Sequence, residues 1–180
     1  NGACPFNRGT WFDGVDAAMM VHPAGVDLAT MPCLALSEVV AEYHGNAAHA
    51  SSMPERGVNA LDPLEIAYNS IAALRQHIGP KERVHGIITD GGDAPNIVPA
   101  HAAGRFYVRA RGARELAALK PRVAGCFHAG AAATGARLDL QWLDPDYLEL
   151  RTCWPLAAAY QRNAEQLGRR FFPMEKLPPN

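Results

Sequence analysis

The strongest constraint on the fold is the order of two kinds of hydrophobic period between residues 34 and 143. Four runs alternate apolar and polar residues, and two longer runs repeat every three to four residues. In Leu34–Tyr43, Val39, Ala41 and Tyr43 alternate with Glu38 and Glu42, which predicts a strand. Leu64, Ala67, Ile71, Leu74 and Ile78 then form one apolar helical stripe. Asp62, Pro63 and Glu65 read as its cap, first helical residue and capping-box acid, and Gly79-Pro80 as its end. Val84–Thr89 is a second strand. Gly104–Ala110 is a third, with Phe106 and Val108 alternating with Arg105, Tyr107 and Arg109. Leu116, Leu119, Val123, Phe127 and Gly130 line a second helix over Ala113–Thr134, which Pro121 is expected to kink or restart and Gly135 to close. Leu138, Leu140 and Trp142 give a fourth strand.

Strand, helix, strand, strand, helix, strand is the βαββαβ, ferredoxin-like order of an α+β domain. Right-handed crossovers put both helices on one face of an antiparallel sheet. Phe106 and Val108 then belong under the helices, and Arg105, Tyr107 and Arg109 on the open face. Residues 1–33 and 144–180 have a different texture. The first holds a short apolar run and the last one amphipathic helix, followed by a helix-incompatible PPN tail.

Composition removes several function classes. A net charge of −1 supplies no field for nucleic acid or an anionic membrane. The open sheet face offers only Tyr107 for base stacking, whereas RNA-binding sheets of this order use several aromatics. No apolar run is long enough to span a bilayer. The cysteines at 4, 33, 126 and 153 form no C-x-x-C pair and read as reduced cytoplasmic thiols.

The segment EYHGNAAHASSMP, Glu42–Pro54, ends a strand at Gly45 and presents His49 among small residues. Such an imidazole is accessible to groups from outside the segment. Together with EYHGNAAHASSMPERGVNALD, two further runs, RVHGIITDGGDAPNIVP and RFYVRA, resemble the co-catalytic zinc aminoacylase and carboxypeptidase superfamily. The similar branch holds aminobenzoyl-glutamate hydrolase and the β-alanyl-lysine dipeptidases. In that family a metal-binding catalytic domain is interrupted by a lid, or dimerisation, domain of βαββαβ fold. The resemblance implies that residues 34–143 are the lid. Residues 1–33 and 144–180 are then pieces of the catalytic domain on either side.

The resemblance also implies roles. His49, in the pattern G-x-x-x-H-A, would donate to the scissile carbonyl oxygen in the dimer partner's active site, where a preorganised donor is worth ~3 kcal/mol. Asn96, in Asn96-Ile97-Val98-Pro99, would bind substrate, and Arg109 would hold a substrate carboxylate with its guanidinium fork. His22, in Met20-Val21-His22-Pro23, would be a zinc ligand. The implied activity is hydrolysis of an amide bond in a small N-acyl amino acid or dipeptide by a homodimer paired through the lid sheet edge. The family also needs an early His-x-Asp, a Glu-Glu pair and a late histidine, and this sequence has no His-x-Asp or Glu-Glu. Two zinc ions are expected in the complete enzyme and none in this segment, whose alternative reading is a non-catalytic dimerisation module. The spacing of His44, His77, His85, His101 and His128 gives no metal-ligand cluster. Gly91-Gly92 is a turn signal rather than a phosphate loop.

Overall fold

The structure, a computed structural model, describes residues 13–31 and 33–173. Cys4, the NGACPFNRG start and the PPN tail lie outside them. The chain divides into two compact units. One is Leu34–Leu148, and the other combines the segments on either side of it.

In Leu34–Leu148 the elements are β1 (Ala35–His44), α1 (Leu61–Leu74), β2 (Arg83–Asp90), β3 (His101–Ala110), α2 (Ala113–Thr134) and β4 (Arg137–Tyr147). The sheet order is β2-β3-β1-β4, and every neighbouring pair is antiparallel. The four-stranded α+β lid architecture is therefore present.

Alternation decides the faces. Along β1, Ala35, Ser37, Val39, Ala41 and Tyr43 are buried, and the residues between them are half-exposed. On β3, Phe106, Val108 and Ala110 are buried. The helices cover this face with Leu64, Ala67 and Ile71 from α1 and Leu116, Leu119, Val123 and Phe127 from α2. Phe127 meets Phe106 edge-on at 5.0 Å between ring centroids. Truncating either ring to alanine would cost about 3–5 kcal/mol, the usual loss for a buried aromatic. The buried Tyr43 hydroxyl donates to the Phe127 carbonyl at 2.8 Å, fastening β1 to α2.

One local expectation is corrected, and one of the two outcomes expected at Pro121 is ruled out. Helix α1 begins at Leu61, so Asp62 lies inside its first turn. The capping group is Asn59, whose Oδ1 accepts from the Leu61 N–H at 2.8 Å and whose amide donates to Asp62 at 2.6 Å. The Ala60 N–H is already taken by the Pro99 carbonyl at 2.8 Å, which fixes the chain two residues earlier than the proline suggests. Helix α2 continues through Pro121 without a restart. Pro121 and Ala117, whose carbonyl loses its i+4 donor there, both lie on the exposed side, where the carbonyl is open to solvent. Gly135 closes the helix in the left-handed region at φ 79°.

The second unit contains α3 (Trp154–Gln166). An Arg169–Asp27 ion pair and a short bridge between Asp27 and Phe171 join its two segments. Among the described residues no helix is long and apolar enough to cross a membrane.

Candidate functional site

Two loops build the surface that carries His49 and Asn96. The loop from β1 to α1 and the loop from β2 to β3 pair with each other instead of extending separately into solvent. The Gly45 N–H donates to Ala100 O at 2.8 Å, Val98 N–H to Ala48 O at 2.9 Å, and Ala50 N–H to Asn96 O at 3.0 Å. Asn46 and Val58 exchange backbone bonds of 2.8 and 2.9 Å, and the Asn46 amide donates to Arg56 O at 2.8 Å. His49 is bridged to Ile97, the residue after Asn96. The two side chains singled out in the sequence thus sit on one small ladder, both exposed.

The His49 ring has a defined hydrogen-bonding pattern. Its Nδ1 lies 3.3 Å from the Ser51 backbone N–H and 3.2 Å from Ser51 Oγ. A backbone N–H can only donate, so Nδ1 is the acceptor and the neutral ring carries its proton on Nε2. The outward nitrogen is a hydrogen-bond donor. Ser51 sets this tautomer, and sequence reasoning passed over it as one more small residue.

Arg109 lies elsewhere. It stands on the open sheet face near the far end of β3, opposite Leu36 of β1 and Arg83 of β2. Eight residues of strand separate it from His101, where β3 emerges from the loops, a distance of roughly 25 Å at strand rise. Its guanidinium lies 6.0 Å from the Tyr107 ring, and Tyr107 meets His85 edge-on at 5.9 Å. Burial, and after it the Arg109 and Arg75 cations, pull the His85 pKa below the ordinary histidine value. This end of the sheet is therefore a cationic surface around an imidazole whose protonation is disfavoured.

His22 is exposed in the other unit, with its Nδ1 2.7 Å from the Pro23 carbonyl. The ring donates from Nδ1 and leaves the Nε2 lone pair available. One imidazole does not meet the ligand demand of a dinuclear centre. Among the described residues the one grouping of three potential metal ligands is Glu42, His44 and His101, which does not include His22. The β1–β3 register places His44 directly opposite His101. This corrects the expectation from spacing that those histidines form no cluster.

The two edges of the sheet differ. On β2, Ile87 is 63% exposed and Ile88 44%, and Ile87 and Ile88 line a shallow surface with Tyr68 and Asn69 of α1. On β4 the outer positions include Arg137, Asp139, Asp144 and Pro145, features that blunt an edge.

The peptidase dimerisation domain of the M20 family matches residues 36–133. The chain belongs to the M20 peptidase family. Mouse Xaa-Arg dipeptidase is 39% identical over 160 residues, which covers 89% of this chain and 37% of that protein. One of the p-aminobenzoyl-glutamate hydrolase subunits of Escherichia coli is 36% identical over 115 residues, or 63% of this chain and 24% of that protein. Among solved structures, an aminobenzoyl-glutamate utilization protein from Klebsiella pneumoniae superposes with a TM-score of 0.63 at 22% identity, covering 77% of this chain and 35% of its own. An amidase of the hydantoinase/carbamoylase family from Burkholderia vietnamiensis gives 0.67 at 16% identity, covering 79% and 35%. At these identities the structural matches speak to the fold. This M20 segment thus spans little more than a third of the length of its dipeptidase relatives, and its relatives include dipeptidases and a p-aminobenzoyl-glutamate hydrolase.

Proposed function

We propose that this chain is the lid, with flanking catalytic-domain pieces, of a dimeric metal-dependent amidohydrolase. The enzyme would cleave an amide bond beside a free carboxylate in a dipeptide or N-acyl amino acid. The observation that carries the reading is the Nε2–H tautomer of His49, imposed by Ser51 on an exposed, backbone-braced loop. Attack on an amide carbonyl builds negative charge on its oxygen, and a fixed N–H donor stabilises that charge. Asn96, on the same ladder, would bind the adjacent part of the substrate, and Arg109 would hold its carboxylate.

Distance dictates how these groups cooperate. A dipeptide extends about 7 Å, so it cannot touch Arg109 and His49 of one copy across roughly 25 Å of strand. If β2 pairs antiparallel with β2 of a second copy, the loop end of one lid falls beside the Arg109 end of the other. Each site would then take Arg109 from one copy and His49 with Asn96 from its partner. The exposed Ile87 and Ile88 edge supports this junction, and a two-fold contact of this kind is the commonest oligomer geometry.

The described residues do not fit a dinuclear centre. We place the remaining ligands of the two zinc ions of the complete enzyme outside them, with His22 as the one ligand this chain contributes. Cys33, Cys126 and Cys153 are free thiols, which supports a reducing, cytoplasmic setting. The second reading, a dimerisation module without catalysis, draws on the same apolar β2 edge.

Mixed dimers of the complete enzyme test the shared site. His49→Ala and Arg109→Ala homodimers should each lose activity, about a hundredfold or more for His49. Co-assembly of the two variants should restore one intact site per dimer. Failure of the mixed dimer to exceed either parent would overturn the arrangement, and near-normal kcat for His49→Ala would overturn the donor role.

A further inference from the structure

The open face of the sheet holds a group of side chains that the proposed activity does not use. Glu42 and His44 point to this face from the end of β1, and His101 points to it from the start of β3. Glu42 Oε2 lies 4.0 Å from His44 Nε2 and 3.8 Å from His101 Nε2. One atom from each of the three residues falls within 4.8 Å of the others. The two carboxylate–imidazole distances are too long for hydrogen bonds, and the two rings, tilted 51° to each other with centroids 5.2 Å apart, leave a gap between the three ligand atoms.

The ring of His101 is oriented for that gap. Its Nδ1 is 2.7 Å from Asp90 Oδ2, and Asp90 is itself held by the Gly92 N–H at 3.1 Å. The carboxylate accepts a hydrogen bond from Nδ1–H, which leaves the Nε2 lone pair free on the side of the gap. A carboxylate behind a histidine in this way is the usual support of a metal-ligating imidazole. Ligands around a tetrahedral zinc, bonded at about 2.0–2.2 Å, are about 3.3–3.5 Å apart. Closing the present gap from separations of up to 4.8 Å needs side-chain rotations that half-exposed residues can make. The surroundings leave room: Ala103, with no bulk beyond its methyl group, is the β3 residue opposite Glu42.

We propose that Glu42, His44 and His101 form a mononuclear binding site for a divalent transition-metal ion of the zinc class, oriented by Asp90. Two imidazoles and one carboxylate favour zinc, cobalt or copper over magnesium or calcium, which prefer all-oxygen ligand sets. The fourth position faces solvent. The bound ion would staple the end of β1 to the start of β3, next to the Gly45–Ala100 hydrogen bond from which the His49 and Asn96 loops spring. This departs from the expectation that the segment binds no metal. It does not depend on the catalytic reading, because the ligands lie outside the groups assigned to catalysis.

The test is titration of the chelator-treated 180-residue chain with Co²⁺ and Zn²⁺, followed by visible absorption and calorimetry. The expected result is saturation at one equivalent, with cobalt d–d bands of a nitrogen–oxygen set and no thiolate charge-transfer band. Glu42→Gln, His44→Gln and His101→Gln should each weaken binding at least tenfold, and Asp90→Asn about 10–100-fold. Circular dichroism checks that the variants are folded. The wild-type titration alone overturns the proposal if no stoichiometric binding occurs or if thiolate bands appear. Wild-type affinity in folded His101→Gln would overturn it as well.

Discussion

Replacing Gly45 by alanine tests whether the two site loops hold each other through their backbones. A methyl group built on Gly45 falls 1.9 Å from the Val58 carbonyl oxygen, 2.9 Å from its carbon and 3.1 Å from the Ala60 nitrogen. All three are backbone atoms and cannot rotate away. The loop must move, and the paired Asn46–Val58 bonds and the Gly45–Ala100 bond stretch or break. Overpacking of this kind costs about 1–3 kcal/mol, and each weakened hydrogen bond about 1 kcal/mol. The expected total is about 2–4 kcal/mol, or roughly 4–15 °C in Tm for a chain of this size. Thermal and urea unfolding give the global loss. Hydrogen exchange gives its location, with the amides of Asn46, Ala50, Val58 and Val98 exchanging faster and the core of β1 changing far less. A loss below about 0.5 kcal/mol with unchanged exchange at those four amides would refute the reasoning, since the loops would then tolerate separation.

Three further outcomes are expected. Burial, reinforced by Cys126, holds the Tyr43 pKa far above the ordinary tyrosine value. Its stabilisation is therefore complete below the unfolded-state pKa near 10 and declines as pH rises above it. Tyr43→Phe should cost about 1 kcal/mol at neutral pH and flatten the alkaline fall in urea midpoint, and an unchanged fall would contradict the assignment. Ile87→Lys should leave Tm within about 1–2 °C yet shift sedimentation from dimer to monomer, whereas Asp139→Lys on the β4 edge should do neither. In the complete enzyme, Arg109→Ala should raise KM by roughly 10–100-fold with a smaller effect on kcat. A pure kcat loss would show that Arg109 acts in the transition state rather than on the substrate carboxylate.

The architecture was legible because side-chain period is a local property. Val39, Ala41 and Tyr43, or Leu116, Leu119, Val123 and Phe127, declare their buried face without reference to the rest of the chain, and the observed burial follows them. The Asn59 cap was not legible, because a second segment, at Pro99, decides where α1 starts. That α2 continues through Pro121 without a restart was not legible for a related reason. The penalty of a proline depends on whether water reaches the freed carbonyl, and burial is a tertiary quantity.

The same division runs through the functional residues. His49, Asn96, Arg109 and His22 could be named from motifs because each motif is contiguous. Their relations could not. That Asn96 sits beside His49 depends on the pairing of two loops nearly fifty residues apart, and that Arg109 lies far from both follows from the direction of β3. The Ser51 contact that sets the His49 tautomer lies two residues away in sequence, but it needs the turn to form. His44 and His101 were indistinguishable from ordinary strand-end histidines until the β1–β3 register set them face to face, with Glu42 two residues down the same strand. Sequence by itself determined the elements, their buried faces and the residue types able to do chemistry, because these depend on neighbours along the chain. Tertiary structure alone decided which of those residues share a site, because register and loop pairing are set by backbone hydrogen bonds between distant segments.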